Sequence, residues 1–152
     1  LCKIAHEVEM AAPDVASWLG GRKLLNASIH TELELAAAVR EGLPLRVVDE
    51  LVARGALTTE EVERLVIPRR TLAHRRQKRQ RLSRDESDRL ARIARVVAYA
   101  EEVLGDVETA RAWLRRPNRG LEGRRPLDTL DTDGGARAVE AVLDRAAHGV
   151  YS

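Results

Sequence analysis

The sequence predicts an all-α protein, and three observations carry that prediction. Strand-forming residues are scarce: the 152 residues include no Phe, and aromatics make up only 3%. The dominant side chains, Ala, Leu, Arg and Glu, lose little rotamer freedom in a helix. The apolar residues also recur at helical spacings between recognisable start and stop signals. A chain of this length buries roughly two-thirds of its unfolded surface, so it needs no disulfide or metal to hold a core.

Residues 1–12 carry no readable signal, and residues 13–30 read as a short helix or turn around Gly20-Gly21 that ends in a loop. From Thr31 to Glu41, Leu35, Ala38 and Val39 are helix-spaced, and Gly42 with Pro44 stops that segment. Pro44 can open the next helix, where its missing N–H costs nothing, and Leu45, Val48, Leu51 and Val52 form its apolar face before Gly55. Thr58 and Glu61 form a capping box for a helix that buries Val62, Leu65 and Val66. A further helix starts at Pro68 and runs to about Gln77. Ser83 and Glu86 make a second capping box and open the longest helix, about 83–104. Leu90, Ile93, Val97, Ala100 and Leu104 alternate along it as the seam of a packed or paired helix. Gly105 caps its end, and Asp106 caps a helix carrying Val107, Ala110 and Leu114 that stops at Pro117. Residues 117–123 read as a loop and 125–130 as a short helical turn. Thr132 or Asp133 caps the last helix, with Ala136, Val139, Leu143 and Ala146 on one face and Gly149 at its end. The expected division is an N-terminal segment (1–30), a helical bundle (31–82) and a C-terminal helical domain (83–152) that includes the long connecting helix.

Cys2 is the sole cysteine, so neither an intramolecular disulfide nor a cysteine zinc site can close, which fits a reducing cytosol. Lys3, Glu7 and Glu9 interrupt any signal-peptide core, and no apolar run reaches the length of a membrane span. Charge is distributed unevenly. Residues 31–66 hold eight acidic and four basic side chains, whereas residues 69–81 hold seven basic ones, with His74 besides and no acid.

That basic run lies on the second of two short helices joined by a tight break, the helix-turn-helix pattern. On the second helix Leu72, with Ala73, faces inward. Arg69, Arg70 and Thr71 sit at the N-terminal end that meets base edges, where arginine can fork onto O6 and N7 of guanine. His74 faces the nucleic acid with them, while Arg75, Arg76, Lys78, Arg79 and Arg81 are placed to neutralise phosphates. Because no acid stands at helical spacing within 69–81, the segment repels itself unless something anionic binds. DNA fits that role better than an acidic protein surface.

The C-terminal part shows no nucleophile–base pair, phosphate loop or metal spacing, so an enzyme is not expected, nor a cofactor. Capping and turn roles account for Asp128, Asp131 and Asp133, and His148 suits the last turn of a helix. Trp113 reads as core. Tyr151, beyond a helix-stopping glycine, is either an interface anchor or part of a tail folded back on the last helix.

The stretches EEVLGD (101–106), AWLRRPN (112–118), LEGRRPLDTLDTDGGARAVE (121–140) and HGVYS (148–152) resemble the toxin-binding domain of Xre/MbcA/ParS-type antitoxins of RES–Xre toxin–antitoxin systems. REGLPLRVVDEL, TTEEVERLVIPRRTLAHRR and LSRDESDRLARIARV are similar to the rest of that family, so the likeness covers the chain from about residue 18. The resemblance implies a cytoplasmic bacterial antitoxin that binds a RES-domain toxin, an enzyme that consumes NAD, and blocks its cleft. It also implies autoregulation through operator DNA, and self-association as a dimer. Carried onto this chain, the blocking residues are His148, Gly149, Val150, Tyr151 and Ser152, helped by Arg145. Many relatives keep a glycine in the turn between the two short helices, whereas here Val66 meets Ile67-Pro68 directly in a shortened turn. The alternative reading is a helix-turn-helix transcriptional regulator without a toxin partner.

Overall fold

A computed structural model describes residues 12–149. Expectations that rest on residues 1–11, Cys2 among them, and on Val150, Tyr151 and Ser152 lie outside the described residues.

Two short helices, α1 (Ala12–Trp18) and α2 (Gly21–Leu25), open the described chain. Helix α3 (Glu32–Glu41) begins at Thr31, whose hydroxyl accepts the Glu34 amide while the Glu34 carboxylate accepts the Thr31 amide. Helix α4 (Arg46–Ala53) follows shortly after Pro44, and α5 (Thr59–Leu65) starts from the Thr58–Glu61 capping box. Helix α6 (Arg69–Gln77) follows Pro68, and α7 (Arg84–Leu104) runs from the Ser83–Glu86 box to Gly105. Asp106 caps α8 (Val107–Leu114) by accepting the Thr109 amide. Two 3-10 turns, Arg119–Leu121 and Pro126–Thr129, lead to α9 (Asp133–Ala147). The Thr132 side chain, rather than Asp133, caps α9 by accepting the Gly135 amide. These boundaries follow the capping side chains because each one satisfies backbone donors that the first helical turn leaves without partners.

Helix α7 is the axis of the molecule. Leu90, Ile93, Ala94, Val96, Val97, Ala98, Tyr99 and Ala100 are all buried, so its middle is enclosed on every side. It packs against α1, α3, α8 and α9. The seam that suggested a paired helix is therefore covered within the chain, and it gives no reason for self-association. The same contacts draw in the described part of the N-terminal segment. Val15, Ala16, Trp18 and Leu19 of α1, with Leu25 and Ile29, join the core. Helices this short gain their stability from packing rather than from propensity, so composition alone did not reveal them.

One apolar cluster runs from Val15 to Leu143, continuous across the boundary expected near residue 82. The connection before α7 is pinned to the end of α3. The Leu82 amide donates to the Leu43 carbonyl at 3.0 Å, and the Leu43 amide donates to Ser87 Oγ at 2.8 Å. Gly42 makes this approach possible. Its φ is +94°, and a Cβ there would lie 2.3 Å from the Leu82 carbonyl oxygen. The turn between α5 and α6 comprises Val66, Ile67 and Pro68, a length within the usual three to four residues. Val66 stands at φ −119°, so this turn does not call on a glycine's left-handed conformation, and its side chain is 2% exposed in the core.

The Gly134-Gly135 pair has a packing reason on one side only. A Cβ on Gly135 would sit 1.8 Å from the Thr129 carbonyl oxygen, whereas nothing lies within 4 Å of one on Gly134. Gly135→Ala is expected to force α9 away from the preceding turn and to cost about 1–3 kcal/mol, as overpacked sites do. Gly134→Ala is expected to be neutral or to stabilise by about 0.4–1 kcal/mol. Denaturant unfolding of the two variants checks this, and equal behaviour would contradict it.

Candidate functional site

Helix α6 has no fully buried residue. Thr71, Leu72 and Arg75 are half-buried, whereas Ala73, expected to face inward, is exposed with the rest of the helix. Arg69 and Arg70 in the first turn and His74 in the middle are exposed, and Thr71 is half-buried. Lys78 and Arg79 follow, both exposed, with Arg79 in the left-handed region at φ 52°. Among the described residues none of Arg69, Arg70, His74, Lys78 and Arg79 enters an ion pair.

The other three basic residues of the run are already engaged. Arg75 donates through Nη2 to Glu86 Oε1 at 3.1 Å and through Nη1 to the Arg81 carbonyl at 3.0 Å. Arg81 donates to the Gly42 carbonyl at 2.9 Å, and Arg76 meets Asp49 at 2.6 Å. The expectation that the run lacks acidic partners therefore needs revision. The partners come from α4 and α7, beyond the reach of helical spacing. Arg75 and Arg81, expected at phosphates, tie α6 and its following turn to the body, while exposed Arg76 sits in an ion pair with an equally exposed Asp49.

The α5–α6 pair is fixed to the C-terminal part by charged forks. Arg115, from the residue after α8, donates through Nε and Nη2 to the two carboxylate oxygens of Glu61 at 2.8 and 2.7 Å. It also reaches the Ala56 carbonyl at 3.2 Å. This bidentate geometry is the strong form of an arginine–carboxylate pair. Burial works to raise the Glu61 carboxyl, but the Arg115 hydrogen bond, the Thr58 amide and the charges of Arg115 and Arg64 outweigh it, so its pKa lies below the usual value. Arg64 pairs with Asp128 at 2.7 Å, Arg89 donates to the Val66 carbonyl at 3.2 Å, and Arg111 donates to the Arg54 carbonyl. Sequence spacing could not find these links, because Glu61 and Arg115 stand 54 residues apart.

At the other end, Arg145, His148 and Gly149 are exposed where α9 stops. His148 closes the helix, its amide donating to the Asp144 carbonyl at 3.0 Å with Nδ1 2.7 Å from the same oxygen. The Tyr99 hydroxyl on α7 donates to the Asp144 carboxylate. Burial, then Asp144, Glu102 and Glu140, push that hydroxyl's pKa far above its ordinary value, so it remains a neutral donor that anchors the end of α9. Val150, Tyr151 and Ser152, expected to act with these residues, lie outside the described residues. Among the described residues no group of His, Cys, Asp and Glu is arranged to hold a metal, and no helix is long and apolar enough to cross a membrane.

Comparison with known proteins divides the chain within α7, between residues 95 and 100. Residues 34–95 match the Antitoxin Xre-like helix-turn-helix domain, and residues 100–149 match the Antitoxin Xre/MbcA/ParS C-terminal toxin-binding domain. Antitoxin Xre of Pseudomonas putida is 36% identical over 121 residues, covering 80% of this chain and 76% of that protein. Mycobacterial cidal antitoxin MbcA of Mycobacterium tuberculosis is 40% identical over 58 residues, covering 36% of this chain and 50% of that protein. The fold is also similar to a chain of the M. tuberculosis MbcT–MbcA toxin–antitoxin complex, with TM-score 0.51 and 29% identity over 82% of this chain and all of that one.

The Glu61 carboxylate sets a testable pH dependence. Its folded pKa is depressed from 4.5, so its contribution to stability is present above that value and is lost as pH falls through the lower folded value. Glu61→Gln is expected to cost about 1.5–3 kcal/mol at neutral pH, the range for a hydrogen bond to a charged group. The gap between wild type and variant is expected to narrow below about pH 4.5 in denaturant unfolding. A gap that stays constant with pH would contradict the assignment.

Proposed function

This chain belongs to the Xre/MbcA/ParS family of antitoxins, and on that premise we propose that it neutralises a RES-domain toxin that consumes NAD and represses its own operon. The observation that carries this reading is the family match over residues 100–149, which ends at the exposed helix end formed by Arg145, His148 and Gly149. Residues 148–152 enter the toxin's cleft and block NAD, with Arg145 steadying them from the last turn of α9. The chain performs no catalysis itself. It acts in the bacterial cytoplasm, where both toxin and operator are found.

The exposed first turn of α6 supports operator reading by Arg69 and Arg70, with Thr71 and His74 beside them. Lys78 and Arg79 take the phosphates. Arg76 joins them by exchanging Asp49 for a phosphate, while Arg75 and Arg81 hold the helix in its place. A direct bidentate contact to guanine contributes about 1–3 kcal/mol of discrimination, whereas a phosphate contact contributes affinity without sequence preference.

Removal of residues 148–152 is the direct test of toxin blocking. The full chain is expected to stop NAD consumption by the purified toxin, and the shortened chain is expected to fold and bind operator normally while leaving NAD consumption unchecked. Full protection by the shortened chain would refute the blocking mechanism. For the DNA surface, Lys78→Ala with Arg79→Ala is expected to weaken binding to all sequences and to flatten the log–log salt slope by roughly 1.8, at about 0.9 per phosphate. Arg70→Ala is expected instead to relax preference at one base position. Identical salt titrations for the two variants would contradict this division.

A further inference from the structure

We propose that the basic loop between α8 and α9 docks on an acidic rim of the toxin, beside the cleft that the chain's C-terminal end enters. The proposal rests on the antitoxin reading and adds a second contact surface with a stated chemistry. Residues 115–125 contain five arginines and one acid, Glu122. Arg115 is committed to Glu61, but Arg116, Arg119 and Arg125 are exposed and enter no ion pair among the described residues. Arg124 meets only Glu122, at 3.8 Å, with both side chains mostly in solvent.

Most nearby acids do not compensate this charge, because they have other partners, and exposed Asp131 alone leaves the loop strongly positive. Asp128 pairs with Arg64, Asp133 with Arg137, Glu140 with Arg95, and Asp144 accepts the Tyr99 hydroxyl. The loop is nevertheless ordered. The Asn118 amide donates to the Arg124 carbonyl at 3.0 Å, the Asn118 side chain accepts the Gly120 amide at 2.8 Å, and Leu121 is buried beneath. An ordered loop of like charges holds its repulsion until an anionic surface relieves it, and its shape is set before the partner arrives.

Position decides between a protein and DNA as that surface. A Cβ on Gly120 would lie 3.3 Å from Arg145 Nη2, so the loop lies against the last turns of α9. The whole loop falls inside residues 100–149, matched to the toxin-binding domain, and outside residues 34–95, matched to the helix-turn-helix domain. An acidic protein rim is the occupant that fits. Such rim charges act mainly on the rate of encounter, and they lose their effect as salt screens them.

The test measures association of the full-length chain with the purified toxin encoded beside it, over a range of salt concentrations. Arg119→Glu with Arg125→Glu is expected to slow association about tenfold or more at low salt, with the difference closing at high salt. Arg119→Lys with Arg125→Lys is expected to retain the fast rate. Operator affinity and unfolding midpoint are expected to stay unchanged in both variants. Toxin binding at wild-type speed by the charge-reversed variant would overturn the docking surface while leaving the antitoxin reading intact. A loss of operator affinity with unchanged toxin kinetics would make the loop a DNA surface and likewise overturn the proposal. Failure of the unmodified chain to bind the toxin at all would overturn both.

Discussion

The enclosure of α7 is the constraint on which the other elements depend. A 21-residue helix buried around most of its middle cannot shift on one side without disturbing every helix packed on it. Both ends of the molecule take their positions from this axis. Its N-terminal Glu86 completes a capping box and also receives Arg75 from α6. Toward its other end, Tyr99 anchors α9 through Asp144. Helix α6 and the end of the last helix are thus both fastened to one rigid element. The Arg115–Glu61 fork adds a second fastening across the same boundary.

Electrostatics then divides the arginines by partner. Within residues 69–81, Arg75 and Arg81 hold the fold through Glu86 and backbone carbonyls, Arg76 sits in an exposed pair with Asp49, and the rest are left in solvent. The loop after α8 repeats the division, with Arg115 turned inward and Arg116, Arg119 and Arg125 turned out. A guanidinium engaged by a buried carboxylate such as Glu86 would leave that carboxylate unpaired if it moved to a phosphate, which opposes the move. An exposed pair such as Arg76–Asp49 meets little such resistance, since surface pairs contribute only about 0–1 kcal/mol.

Much of this architecture was legible in the sequence, because helix ends are written locally. Thr58-x-x-Glu61, Ser83-x-x-Glu86, Asp106 and the glycines at 105 and 149 mark boundaries through contacts three or four residues long. Helix α6 could likewise be read from Pro68 and the basic run that follows it. Long-range pairing could not. Arg75 and Arg79 look equivalent in sequence, and only the fold brings Glu86 to the first and leaves the second in solvent. The place of α1 in the core was hidden for a similar reason: seven residues give too short a period to distinguish a core helix from a loop. The seam on α7 was visible, but a repeat that pairs two chains and one that packs within a chain have the same spacing.

Co-expression with the protein encoded beside this chain, scored by growth and cellular NAD, tests the central claim most directly. The expected result is that the neighbour alone arrests growth and depletes NAD, and that adding this chain restores both. A neighbour that leaves NAD untouched, or that stays toxic with this chain present, would contradict the antitoxin mechanism and leave a helical DNA-binding regulator in its place.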